Sequence, residues 1–126
     1  MSDPILGALR ASGAGMDAQQ TRLRLSAENL SNADTPGYRR KLVPFRVDEG
    51  AVAVGTVRLD QRGGELRHDP AHPLADGSGM VTLSNVDMMV ELADAREAQR
   101  SFDANLQVFG QARRLYDGLL GILRRN

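Results

Sequence analysis

The chain has 126 residues, enough for one domain with a core of its own. Sixteen Lys and Arg balance sixteen Asp and Glu, so no net field points to nucleic acid or an anionic membrane surface. With no cysteine, disulfides, thiolate catalysis and thiolate metal sites are excluded. The N-terminus has no basic stretch followed by an apolar one, so no Sec-type signal is expected. No run approaches the ~18 consecutive apolar residues of a membrane-spanning helix, and no membrane insertion is expected.

Residues 4–33 read as a helix. Asp3 suits the N-cap and Pro4 the first helical position. Ile5, Leu9, Met16, Leu23, Ala27 and Leu30 recur at helical spacing, while Arg10, Asp17, Arg22, Arg24 and Glu28 fall elsewhere. Leu9, Met16, Leu23 and Leu30 also keep a strict interval of seven, the signature of a narrow seam wound against another helix. Gly7, Gly13 and Gly15 each weaken a helix by about 1 kcal/mol relative to Ala. They mark either a close approach of two backbones or a broken first turn.

Residues 34–84 hold four of the five prolines, and Asp34-Thr35-Pro36-Gly37 signals a turn. Short apolar or alternating pieces at 41–47, 51–59 and 80–83 predict strands. Arg62-Gly63-Gly64-Glu65 is a candidate hairpin closure, and Arg39-Arg40-Lys41 reads as a solvated loop face. His68 and His72 lie four apart with Asp69 and Asp76 nearby, a set able to hold zinc or iron. That spacing converges only on a helix, which Pro70 and Pro73 forbid, so 68–73 reads as a rigid loop with hydrogen-bonding histidines. No phosphate-binding, dinucleotide, zinc-protease or serine-hydrolase signature occurs. No enzyme activity, cofactor, metal or small-molecule substrate is therefore expected.

Residues 86–124 read as a second helix, capped by Ser84 or Asn85, with acids early and arginines late, as the helix dipole favours. Met88, Ala95, Phe102, Phe109, Tyr116 and Leu123 form a line at intervals of seven that holds three of the five aromatics. Leu92, Leu106 and Leu120 flank it, with Gln99 and Arg113 interrupting. The two seams together predict a mainly α fold. Long terminal helices, 1–33 and 85–126, pair as a coiled-coil domain around a short irregular and β-hairpin segment, 34–84.

Asn29-Leu30-Ser31-Asn32-Ala33-Asp34-Thr35-Pro36-Gly37-Tyr38 resembles the N-terminal signature of the flagellar axial proteins. Its Asn29, Asn32, Thr35, Pro36, Gly37 and Tyr38 suit a helix end, where asparagines tolerate left-handed geometry and bond free carbonyls, followed by an abrupt exit. Arg39-Arg40-Lys41-Leu42-Val43-Pro44-Phe45, His72-Pro73-Leu74-Ala75-Asp76 and residues 90–106 narrow the resemblance to the FlgC family of proximal-rod subunits. Met80, Ser84 and Phe102 depart modestly from that family's pattern. The resemblance implies a structural subunit of the bacterial flagellar basal-body rod, exported by the flagellar type III apparatus and located in the periplasm. It implies terminal helices lining an axial channel, and partners that include copies of the chain, other rod proteins, the MS-ring base and the export apparatus. Another flagellar rod subunit shares the 29–38 signature. A coiled-coil adaptor or secreted protein would share only the heptads, and a metal-dependent enzyme would use His68 and His72.

Overall fold

Two helices account for most of the chain in the computed structural model, which describes residues 3–125. The first, α1, spans Pro4–Ser31, and the carboxylate of its N-cap Asp3 accepts from the Ile5 backbone N–H at 2.8 Å. The last, α2, spans Met88–Arg124. Its cap is Asp87, which accepts from the N–H groups of Met89 and Val90. Neither Ser84 nor Asn85 caps it, because Ser84 Oγ turns to Val86 N–H and the Asn85 side chain is engaged elsewhere.

Between the helices lie three small antiparallel sheets. Strand β1 (Lys41–Leu42) pairs with β4 (Arg58–Leu59), and β2 (Phe45–Asp48) pairs with β3 (Ala51–Val54) inside that loop. Both belong to one long hairpin, interrupted where Pro44 cannot donate and continued by Gly55 N–H to Pro44 O at 2.8 Å. Its tip, Glu49-Gly50, has φ of 50° and 78°, the two left-handed residues of a type I′ turn. Strand β5 (Leu66–His68) pairs with β6 (Met80–Thr82), so His68 ends a strand opposite Met80 rather than opening a loop. Arg62-Gly63-Gly64-Glu65 closes no hairpin; it carries the chain from β4 to β5, in different sheets. Gly64 is required there, because a Cβ would stand 1.8 Å from the Leu83 carbonyl oxygen.

The helices run antiparallel: Asn29 meets Glu91, Arg22 meets Asp94, and Gly15 faces Asn105. The line sunk deepest in α2 is Glu91, Ala98, Asn105 and Ala112, at intervals of seven. The half-buried Ala95, Phe102, Phe109 and Tyr116 alternate with it at spacings of four and three. On α1 the facing residues Gly15, Ala18, Arg22, Leu25 and Asn29 follow the same alternation. The α1 glycines therefore sit in an unbroken helix, and Gly15 marks a close approach. Among the described residues the buried apolar side chains are Ala18, Leu25, Val81, Ala98 and Ala112, a thin core between closely spaced helices. The mainly α architecture with a β segment is as expected from the sequence.

A Cβ at Gly15 would lie 2.6 Å from Asn105 Oδ1, whereas one at Gly7 would meet nothing within 4 Å. Gly15→Val should therefore destabilise the protomer by about 1–3 kcal/mol through overpacking. Adding Asn105→Ala should recover most of that loss. Gly7→Ala should instead stabilise by up to about 1 kcal/mol. Urea midpoints of the four proteins check both signs.

Candidate functional site

The most organised side-chain cluster sits where α1 ends and the hairpin begins. Asn32 closes α1 by donating its Nδ2 to the Glu28 carbonyl at 2.9 Å. The Asn32 backbone is not left-handed, its φ being −112°. Thr35-Pro36-Gly37-Tyr38 then forms a turn closed by Tyr38 N–H to Thr35 O at 3.2 Å. Pro36 occupies the second position and Gly37 the third, at φ 77°, the type II arrangement. The Gly37 N–H donates to the Thr82 carbonyl, which ties the turn to β6.

Asn29, one turn earlier, is the hub of this junction and is 1% exposed. Its Oδ1 accepts from the Lys41 backbone N–H and the Tyr38 hydroxyl, each at 2.9 Å. Its Nδ2 donates to the Lys41 carbonyl at 3.0 Å and to Glu91 Oε1 at 3.1 Å. All four hydrogen-bonding positions of the amide are filled. One side chain thus joins α1, β1, the turn and α2. The Tyr38 hydroxyl is pushed above its ordinary range, chiefly by burial and then by the Glu28 charge.

Glu91 is also 1% exposed and carries an ion pair with Arg40 Nε. Arg40 reaches Asp94 Oδ2 with Nη2 at 2.6 Å, and its backbone N–H donates to Asn85 Oδ1 at 2.6 Å. Arg22 bridges Asp94 and Glu97, each at 3.3 Å. Lys41 pairs with Glu28, which raises the lysine's pKa through that hydrogen bond. Arg39-Arg40-Lys41 is therefore no solvated run: Arg39 is exposed beside Gln61, while the half-buried Arg40 fixes α2 to the hairpin.

A satellite pair flanks this cluster. Arg62 donates to both oxygens of the buried Asp60 and holds its carboxyl at about 2, against 3.8 ordinarily. A depressed folded pKa contributes stability that is complete above the unfolded value and lost as pH falls towards the folded one. Asp60→Asn should therefore remove part of the loss of thermal stability between about pH 4 and pH 2, and leave the neutral-pH slope unchanged. Arg62 is exposed, so screening keeps the effect modest.

The junction is saturated with internal partners and offers a substrate no free nucleophile or base. His72 Nδ1 accepts from Leu74 N–H at 3.0 Å, as a hydrogen-bonded loop histidine. Among the described residues no three His, Cys, Asp or Glu side chains are placed to hold a metal ion.

The seam residues divide into two groups. Leu9, Met16, Leu23, Leu30, Ala95, Phe102, Phe109, Tyr116 and Leu120 are half-buried along the helix pair. Met88, Leu92, Leu106 and Leu123 stand exposed, Leu123 at 70%. Exposed beside them are Met89, Val108, Leu115, Leu119 and Ile122, of which Val108, Leu115 and Ile122 form another line at intervals of seven. The sequence reading missed Glu91, Arg40, Asp94, Arg22 and Asn85. The traceable signal was Glu91, Ala98, Asn105 and Ala112 in register three residues after the aromatic line's phase.

Residues 9–39 match the family described as flagella basal body rod protein, and residues 78–122 match the C-terminal family of the flagellar basal body rod FlgEFG proteins. The chain is 42% identical to a flagellar basal-body rod protein FlgC of Agrobacterium fabrum, with 97% of each chain covered. It is 36% identical to the protein of that name in Salmonella typhimurium, over 82% of this chain and 87% of the relative. It is 32% identical to that of Aquifex aeolicus, over 90% of this chain and 92% of the relative.

Proposed function

We propose, from the premise that this chain belongs to the FlgC family of flagellar basal-body rod proteins, that it is a structural and non-enzymatic subunit of that rod. The observation that carries the reading beyond family membership is the mismatch between the two faces of α2. Its inner face packs small residues against α1, while Leu92, Leu106, Val108, Leu115, Ile122 and Leu123 stay exposed. Large apolar side chains left exposed on both flanks of one helix mark a site of protein association. Seven-residue spacing on both helices supports their assembly as a coiled-coil layer, 1–33 with 85–126, from which 34–84 projects as an outer segment. In this reading copies of the chain and other rod proteins stack helically into a drive shaft around an export channel, seated on the MS-ring base and crossing the periplasm. Subunits arrive through the flagellar type III apparatus. Heterologous contacts that do not close generate such a helix.

Deleting the gene should abolish swimming and the hook, and supplying the chain should restore both. The restored chain should co-purify with hook–basal bodies. Motile deletion cells, or a chain absent from purified basal bodies, would overturn the reading.

A further inference from the structure

The two ends of α2 are complementary and lie far apart. Among the described residues α1 begins at Pro4, one turn before the Ala8 that lines a groove with Gln111, Ala112 and Leu115 of α2. Towards its C-terminus α2 keeps Leu120 half-buried and leaves Leu119, Ile122 and Leu123 exposed ahead of Arg124 and Arg125. At the other end a groove runs beside the start of α2, between the 62–65 crossover and the 83–88 segment. Its apolar lining is Leu83, Val86, Met88 and Val90, with the Glu65 and Asp87 carboxylates alongside. The two arginines that also border it are committed, Arg40 to Glu91 and Asp94 and Arg62 to Asp60. The groove therefore presents apolar side chains beside one uncommitted acid, Glu65, since Asp87 is engaged as the α2 cap, and the helix end presents apolar side chains beside two bases.

We infer that the last two turns of α2 insert into the groove beside Met88 and Val90 of a second copy of this chain. A helix of 37 residues is about 55 Å long, so a chain cannot fill its own groove. The contact joins different patches on the two copies and leaves a free groove and a free helix end on the pair. It also extends the helix-pair seam, since Met88 and Leu123 are the two ends of the line that holds Phe102 and Phe109. Arg124 and Arg125 meet Glu65, which fixes direction more than strength. The inference rests on the rod-subunit reading, which brings copies together at high local concentration.

The chain has no cysteine, so introduced thiols report alone. A disulfide requires Cα atoms within about 7 Å, which makes the test geometric. Met88→Cys with Leu123→Cys, expressed in motile cells and oxidised, should give dimers and higher multimers in purified basal bodies, whereas either single variant should give monomer. Arg124→Glu with Arg125→Glu should reduce the multimers at least tenfold, and Glu65→Arg should restore them. Dimers from a single variant would show a symmetric contact and overturn the inference. Cross-links only to a different rod protein would overturn the commitment to a second copy. Absence of multimers from a chain present in basal bodies would overturn the contact and leave the rod reading intact; absence of the chain itself would overturn that reading. Circular dichroism of each variant should match the parent, because all the altered side chains are exposed.

Discussion

Arg40→Ala should lower the stability of the isolated protomer by about 3–5 kcal/mol, enough to unfold much of it. Glu91 is 1% exposed and its Oε1 accepts from Arg40 Nε, so removing the guanidinium strands a carboxylate away from water. The same change frees Asp94 of its 2.6 Å partner, leaving it only Arg22. The loss is large because the apolar core is thin: among the described residues five apolar side chains are buried, none larger than Leu25. Arg39→Ala, at an exposed neighbour in the same basic run, should change stability by no more than about 0.5 kcal/mol. Pairing Arg40→Met with Glu91→Leu should recover much of the loss, since a buried ion pair replaced by apolar groups of similar volume is often neutral. Recovery will be incomplete, because Asn29 Nδ2 loses its acceptor on Glu91. Urea midpoints of the four proteins at one protein concentration test the series. Equal midpoints for the parent and Arg40→Ala would show that the buried pair does not hold the junction.

Periodicity made the helices legible and small residues concealed how they meet. The apolar line from Ala95 to Tyr116 is half of the α2 contact. The other half, Glu91, Ala98, Asn105 and Ala112, contains no large apolar residue, so a search for hydrophobic spacing passes over it. The same holds on α1, where Leu9, Met16, Leu23 and Leu30 lie one position beyond the facing Ala8, Gly15, Arg22 and Asn29. Close packing selects small residues at the centre and displaces large ones to the flanks. The largest side chains of such a pair therefore point to what else it touches.

The signature 29–38 was recognisable as a string, yet much of its physical content lay in partners outside it, Lys41 and Glu91. Asn29 reads locally as a helix-end residue, whereas its four bonds reach Tyr38, Lys41 and Glu91. The turn itself was legible, because Pro36 and Gly37 have conformational preferences independent of context. The strands at 41–47 and 51–59 were found but merged. Pro44 and the 55–57 stretch interrupt each ladder, and alternation alone cannot show where pairing lapses. Arg40 was least legible of all. A basic run in a loop looks solvated until the fold supplies Glu91 from fifty-one residues away.

Folding and assembly should separate when the α1-facing side and the exposed side of α2 are charged one at a time. Phe109 is half-buried against Gly13, with its Cε2 3.9 Å from where that residue's Cβ would be. Phe109→Asp removes a large apolar side chain and forces a carboxylate toward the α1 backbone, costing about 2–4 kcal/mol in the protomer itself. Leu106 is 50% exposed, so Leu106→Asp should shift the urea midpoint by no more than about 0.5 kcal/mol equivalent. If the exposed side chain of Leu106 is a subunit contact, both variants fail to build rods for different reasons. Phe109→Asp yields little folded protein, whereas Leu106→Asp yields a folded and exported subunit that buries an unpaired charge on assembly. Swimming in soft agar reports the failure, and the chain's abundance in culture supernatant against basal bodies reports the step. Full motility with Leu106→Asp would remove that residue from the assembly surface. Full motility with Phe109→Asp would mean that the helix pair tolerates a charge at its centre, against the packing on which the whole protomer depends.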